Sequence, residues 1–284
     1  MIVWIDGELL DLRDARISPL DRGLVVGDGV FETLRVYRGV PFAWSRHLAR
    51  LQYSAEGLGL VLPDIGRLRA AADAVLEANG LSEARLRLTV TGGESPPGSG
   101  RVDSTPTAFV VAVEVASAPD TTRVAVAPWT RNERSATAGL KTISYAANVR
   151  ALAYAQERGA SEAIFANTSG NLCEATGSNV FVVIDGVALT PPASAGCLLG
   201  VTRGLLLEIA AGCGVEAREH DVPMEALASV SEMILTSTIR EVQAVDAILE
   251  HASAPAPVIL TAPGPIAKRL ATAFADLLAR DLDP

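Results

Sequence analysis

Leu140-Lys141-Thr142-Ile143-Ser144-Tyr145-Ala146-Ala147-Asn148-Val149-Arg150-Ala151, residues 140–151, sets the only lysine in the middle of the chain within an apolar context. A lysine withdrawn from water loses ammonium character and becomes a Schiff-base nucleophile toward a carbonyl such as that of pyridoxal phosphate. The same residue at the end of a loop is simply solvated, and from this segment alone both readings stand. Immediately C-terminal, the spacing of Ala147, Val149, Leu152, Ala153 and Ala155 predicts an amphipathic helix closed by Gly159. Further on, apolar runs predict strands over 163–166, 178–184 and 232–237. Helices are expected over 201–211 and 265–282.

N-terminal to Lys141, the polar run Ser117 to Thr122 reads as a linker, which places a domain boundary near 119. Before it, helical spacing covers 45–58 and 64–79, the second run ending at the capping pair Asn79-Gly80. Strand patterns over 85–91 and 107–115 flank the glycine- and proline-rich stretch 92–100, expected as a flexible loop. The sum is a mixed α/β (α+β) chain of two domains, a smaller one over 1–118 and a larger one over 119–284 that carries Lys141.

With 284 residues, 49% of them hydrophobic, the chain is long enough for a full core. Its net charge of −9 gives no nucleic-acid footprint, so an anionic ligand needs its own local basic site. Three cysteines, Cys173, Cys197 and Cys213, lack any C-x-x-C spacing, which argues for a reducing compartment over a disulfide scaffold or zinc site. His47, His220 and His251 lie far apart, so no metal is expected. The absence of a signal-like start and of a membrane-length apolar run leads us to expect a soluble, cytoplasmic protein.

Gly27-Asp28-Gly29-Val30-Phe31-Glu32-Thr33 fails the dinucleotide fingerprint because position 32 is Glu, and it reads as a glycine turn feeding a strand. His47 and Arg50 fall on one helix face, and a helix-borne arginine is either solvated or an anion clamp. Gly200-Val201-Thr202 opens a predicted helix, and Thr236-Ser237-Thr238 ends a predicted strand in small hydroxyls. Each is a cap or strand terminus, or a phosphate contact. Glu174, just before an apolar strand, is a surface carboxylate or the partner of a protonated pyridine nitrogen.

Taken in order, GDGVFETLRVY from Gly27, HLARL from His47, LKTISYAANVRA from Leu140, EAIFANTSGNLCEATGSNVFVV from Glu162, LLGVTRG from Leu198 and TSTIREVQAV from Thr236 resemble the class IV aminotransferases. These fold type IV pyridoxal phosphate enzymes include branched-chain and D-amino acid aminotransferases and 4-amino-4-deoxychorismate lyases. The resemblance implies pyridoxal 5'-phosphate as cofactor and a homodimer acting on a small amino substrate with a carboxylate. It also implies that Lys141 holds the cofactor aldehyde and moves protons, and that Glu174 binds the pyridine nitrogen. Arg50, Val201, Thr202, Ser237 and Thr238 would hold the phosphate, and Tyr145 would reach the cofactor phenolate oxygen.

Within the family, Thr33 after Phe31-Glu32 and the pattern Lys141-x-x-x-Tyr145-x-x-Asn148 look more like the lyases, which release pyruvate to leave 4-aminobenzoate for folate synthesis. The alternatives are a transaminase of D-amino acids, (R)-amines or branched-chain amino acids, and a cofactor-binding protein without turnover. The Arg-x-His carboxylate trap of the D-amino acid enzymes is replaced by Gly92-Gly93-Glu94. Phe31, Thr33 and Arg101 are the expected substrate contacts, with Arg35 and Arg240 as further carboxylate candidates.

Overall fold

A computed structural model of the chain describes residues 1–102, 104–250 and 256–284, so His251 lies outside the described residues. The architecture is mixed α/β, and the chain divides into two compact units.

The first unit comprises 1–116, 140–145 and 282–284. Its elements are β1 (Ile2–Ile5), β2 (Glu8–Asp11), α1 (Arg22–Val26), β3 (Gly29–Tyr37), β4 (Val40–Pro41), α2 (Trp44–Leu58), α3 (Ile65–Asn79), β5 (Ala84–Thr91) and β6 (Ala108–Glu114). The six strands form an antiparallel sheet in the order β2-β1-β6-β5-β3-β4. Successive side chains of a strand face opposite sides. Val30, Leu34 and Val36 of β3 and Leu86, Leu88 and Val90 of β5 therefore bury one face against Leu48 and Leu51 of α2 and Leu68 and Ala72 of α3. Each fully buried leucine contributes roughly 1.5–3 kcal/mol. Asp64 caps α3 by accepting the Arg67 N–H at 3.0 Å. No side chain at residue 43 caps α2; instead Asp283 accepts the Ser45 N–H at 2.9 Å and the Ser45 hydroxyl at 2.6 Å.

Sequence order suggested that Lys141 belongs to the larger C-terminal domain, and the structure corrects this. Beside β3, β4 covers only Val36 and Tyr37, leaving the start of that edge open. The 140–145 segment fills it: the Phe31 N–H donates to the Lys141 carbonyl at 3.1 Å and the Ile143 N–H to the Gly29 carbonyl at 2.9 Å. Unsatisfied edge groups thus draw the lysine segment into the first unit. The principal break falls between 116 and 117, and Thr121 and Thr122 of the expected linker are already strand.

The second unit comprises 117–139 and 146–281. It contains β7 (Thr121–Val126), α4 (Ala146–Gln156), β8 (Glu162–Ala166), β9 (Leu172–Ala175), β10 (Asn179–Ile184), β11 (Val187–Thr190), α5 (Val201–Ile209), β12 (Ala217–Glu219), β13 (Glu232–Ser237), β14 (Glu241–Leu249), β15 (Val258–Ile259) and α6 (Pro265–Arg280). The strand order is β12-β11-β10-β13-β14-β7-β8-β9, with β15 on β14. Parallel pairs β14/β7 and β7/β8 adjoin antiparallel ones, so this sheet is mixed. Its core gathers Ile164, Val180, Val182, Met233, Leu235 and Ile248. Glu232 caps α6 from the sheet, accepting the Ile266 and Ala267 N–H groups at 2.9 Å each. No described helix is long and apolar enough to cross a membrane.

Candidate active site

In the first unit, the face of β3 opposite the helices carries Phe31, Thr33 and Arg35, and the same face of β5 carries Arg87 and Thr89. Lys141 is half-buried there, its backbone N–H donating to Ser54 Oγ of α2 at 3.0 Å and its Nζ 4.3 Å from the Phe31 ring centroid. Tyr145 meets the Phe31 ring edge to face at 5.2 Å, and the Arg87 guanidinium lies over the same ring at 3.8 Å. Phe31 is therefore an apolar floor touched by a lysine, a tyrosine and an arginine.

Arg87 donates to Thr89 Oγ1 at 3.2 Å but has no carboxylate partner among the described residues. Burial pushes its pKa down, partly offset by Tyr145. A half-buried cation facing Thr33 across the strand pair suits an incoming carboxylate. Sequence reading passed over Arg87. Its signal was a charge in mid-strand between Leu86 and Leu88, on the non-core side of the alternation.

Behind this face, Glu32 points to α2 and is fully buried. It accepts His47 Nδ1–H at 2.7 Å, Arg50 Nε–H at 2.7 Å and a second Arg50 N–H at 2.8 Å. Burial opposes ionisation of Glu32, yet the Arg50 guanidinium and His47 more than offset it and hold the carboxyl well below the usual carboxylate range. Burial also lowers the His47 pKa against the pull of Glu32, so the ring is neutral at pH 7. Arg50 is thereby fixed in a forked pair that orients its guanidinium.

Arg101, an expected substrate contact, is held by groups of the protein itself. It is bound to both Asp28 oxygens, at 2.8 and 2.6 Å, and to the carbonyls of Leu58 and Gly59 at 2.8 and 2.5 Å. Asp28 also accepts from Arg22 at 2.8 Å, whose other donors bind the carbonyls of Gly98, Ser99 and Gly100. The stretch expected as a flexible loop is therefore tied down at 98–101, because its carbonyls are satisfied by a buried arginine. Arg35 pairs with Glu83 at 3.2 Å.

In the second unit, Glu174 precedes the apolar strand β10, as expected, and itself lies within the short strand β9. Its Oε2 accepts the Leu198 N–H at 3.0 Å, and Oε1 stands 3.4 Å from Arg131 Nε. Leu198 begins the approach to α5. There Gly200 offers no side-chain cap to the first-turn N–H groups of Val201 and Thr202. A Cβ on Gly200 would fall 2.0 Å from Asn179 Oδ1, so a larger residue there would have to displace the Asn179 side chain. Ser237 and Thr238 stand at the β13/β14 turn, after Thr236, whose buried hydroxyl has no partner among the described residues. Cys173 and Cys197 are buried, and burial with nearby Glu174 pushes the Cys197 thiol up to about 12, so neither serves as a nucleophile. Among the described residues no cluster of His, Cys, Asp or Glu could hold a metal.

An uncapped helix start with adjacent hydroxyls fits a phosphate, a carboxylate held between an amide and an arginine fits a protonated ring nitrogen, and a half-buried amine fits an aldehyde. Fold and donor set thus define a pyridoxal-phosphate enzyme of fold type IV. The chain belongs to the class IV aminotransferase family, whose sequence profile matches residues 29–248. It is 32% identical over 249 residues to a putative branched-chain-amino-acid aminotransferase of Methanocaldococcus jannaschii, covering 85% of this chain and 86% of that protein. It is 30% identical over 279 residues to the D-alanine aminotransferase of Bacillus licheniformis, covering 96% of each. Among solved structures, the branched-chain aminotransferase of Thermoproteus uzoniensis with norvaline superposes with a TM-score of 0.87 at 28% identity, over 98% of this chain and 94% of that one. The family's cofactor is pyridoxal 5'-phosphate.

Proposed function

We propose that this enzyme is a transaminase of a small or branched aliphatic amino acid and that Arg87 receives a substrate carboxylate. The observation that carries this reading is the half-buried Arg87 guanidinium beside Phe31 and Thr33 without a carboxylate partner among the described residues. The relatives named for D-alanine and branched-chain substrates support it.

In this reading Lys141 Nζ binds the cofactor and moves the substrate Cα proton, and Glu174 accepts the hydrogen bond of the pyridine nitrogen. The amides of Val201 and Thr202 and the hydroxyls of Ser237 and Thr238 hold the phosphate, with Arg50 adding positive charge and Tyr145 a hydroxyl. Bound pyridoxal phosphate supplies the electron-withdrawing ring that acidifies the Cα–H bond. Phe31 excludes water from the lysine.

A second reading, 4-amino-4-deoxychorismate lyase, is favoured by Thr33, a half-buried hydroxyl directly opposite Arg87 and able to pass a proton to a departing group. The two are separated by incubating the holoenzyme with D-alanine or L-leucine and 2-oxoglutarate, and separately with aminodeoxychorismate. We expect amino transfer from one of the amino acids; pyruvate release from aminodeoxychorismate without any transfer would sink the transaminase reading. Arg87→Met is expected to raise KM for the carboxylate substrate by about 10- to 100-fold, with a smaller change in kcat. An unchanged KM would remove Arg87 from substrate recognition.

A homodimer is proposed as well. The α1 segment exposes Leu24 at 71%, with Val25, Val26 and Leu20 beside it, an apolar run suited to burial against a second copy. Sedimentation of a monomer at micromolar concentration would exclude it.

A further inference from the structure

The buried Glu162 and the partly buried Arg240 form an ion pair that the chemistry above does not use. Glu162 opens β8, its side chain 4% exposed, and Arg240 closes the β13/β14 turn, its side chain 20% exposed, with Arg240 Nε 3.2 Å from Glu162 Oε2. The Glu162 carboxylate also accepts the Gly177 N–H at 2.9 Å, the Ser178 hydroxyl at 3.2 Å and the Thr176 hydroxyl. It therefore gathers the whole turn that joins Glu174's strand to β10.

Arg240 does the same for the other turn. Its backbone N–H donates to Ser237 Oγ at 3.1 Å, and its guanidinium donates to the Ser161 carbonyl at 3.1 Å and to the Gln243 side chain. Gln243 in turn donates to the Pro119 carbonyl at 2.6 Å. A third arm leads back to Glu174: Asn148 Nδ2–H donates to the Thr176 carbonyl, and Asn148 Oδ1 accepts from Arg131, which faces Glu174. One polar chain thus runs from the Ser237–Thr238 turn through Arg240, Glu162, Thr176, Asn148 and Arg131 to Glu174.

Burying an ion pair gives little net stability over an apolar replacement, so its structural return lies in the geometry it imposes. The Thr238–Arg240 turn is followed by Glu241 at φ 55, a left-handed conformation that a non-glycine residue adopts only when its surroundings hold it. We infer that Arg240 and Glu162 are positioning residues that hold the Ser237–Thr238 turn at the reach a phosphate requires and set its distance from Glu174. The inference rests on the reading of Ser237 and Thr238 as phosphate contacts.

Arg240→Met tests it in the full chain, stripped of cofactor and titrated separately with pyridoxal phosphate and with pyridoxal, which lacks the phosphate. The expected result is a rise of about tenfold or more in the Kd for pyridoxal phosphate, a change of less than about twofold for pyridoxal, and near-normal kcat at saturating cofactor. Glu162→Gln keeps the shape of the site and should give the same split if Arg240→Met fails to accumulate. Equal losses for both ligands, or an unchanged Kd for pyridoxal phosphate in a folded variant, would overturn the inference. Thr238→Val separates the two claims. If it leaves pyridoxal phosphate affinity unchanged, the phosphate reading fails and the positioning role falls with it. If Thr238→Val weakens binding and Arg240→Met does not, only the positioning role is lost.

Discussion

Lys141→Ala is expected to lower turnover by about 10³-fold or more while the protein stays folded, because one amine both anchors the cofactor and moves the proton. The structural loss is small. Lys141 is half-buried, its backbone bonds to Ser54 and Phe31 survive the substitution, and its contact with the Phe31 ring is worth about 0.5–1 kcal/mol. Two measurements check this: steady-state rate, and borohydride reduction of the holoenzyme followed by peptide mass mapping. The reduced cofactor should sit on the peptide containing Lys141 and be absent in the variant. A labelled Lys268, the other lysine of the chain, or undiminished turnover would refute the assignment.

Glu32→Ala is expected to cost about 3–5 kcal/mol of folding stability, since it removes the buried carboxylate that the Arg50 guanidinium and the His47 ring both bind. Cofactor affinity should fall with it, because the fork that orients Arg50 is gone. The pH dependence has a defined sign. The folded-state pKa of Glu32 is depressed, so its stabilisation is fully present above the ordinary value of 4.5 and is lost as pH falls below it. His47 is also depressed, from 6.5, so the unfolded state takes up its proton first and stability begins to fall as pH drops through that value. Urea unfolding of the wild type at pH 7, 5.5 and 4 should show both steps, and Glu32→Ala should flatten the acid step. A variant with wild-type stability at pH 7 would show that the buried triad contributes nothing.

Much of the fold was legible locally. The helices over 45–58 and 64–79 and the strand over 85–91 follow from apolar spacing and glycine or proline punctuation, signals that lie within a dozen residues of each other. Strand β9 escaped because Leu172–Ala175 is four residues long and interrupted by a charge. The placement of 140–145 escaped because it depends on an open edge of β3, more than a hundred residues away. For the same reason Arg101, a plausible anion ligand in sequence, turned out to be committed to Asp28. Arg87, hidden in an alternating strand, has no carboxylate partner among the described residues.

By itself the sequence determined the chemistry: an isolated lysine, an ordered set of glycine, hydroxyl and carboxylate motifs, and a mixed α/β chain, all carried by residue type and local spacing. Only the tertiary structure decided which charges are already spent on one another. Ion pairing depends on through-space distance and burial. Glu32 with Arg50, Asp28 with Arg101, and Glu162 with Arg240 lie 18, 73 and 78 residues apart in the chain, and their carboxylates are buried within ion-pair distance once it folds.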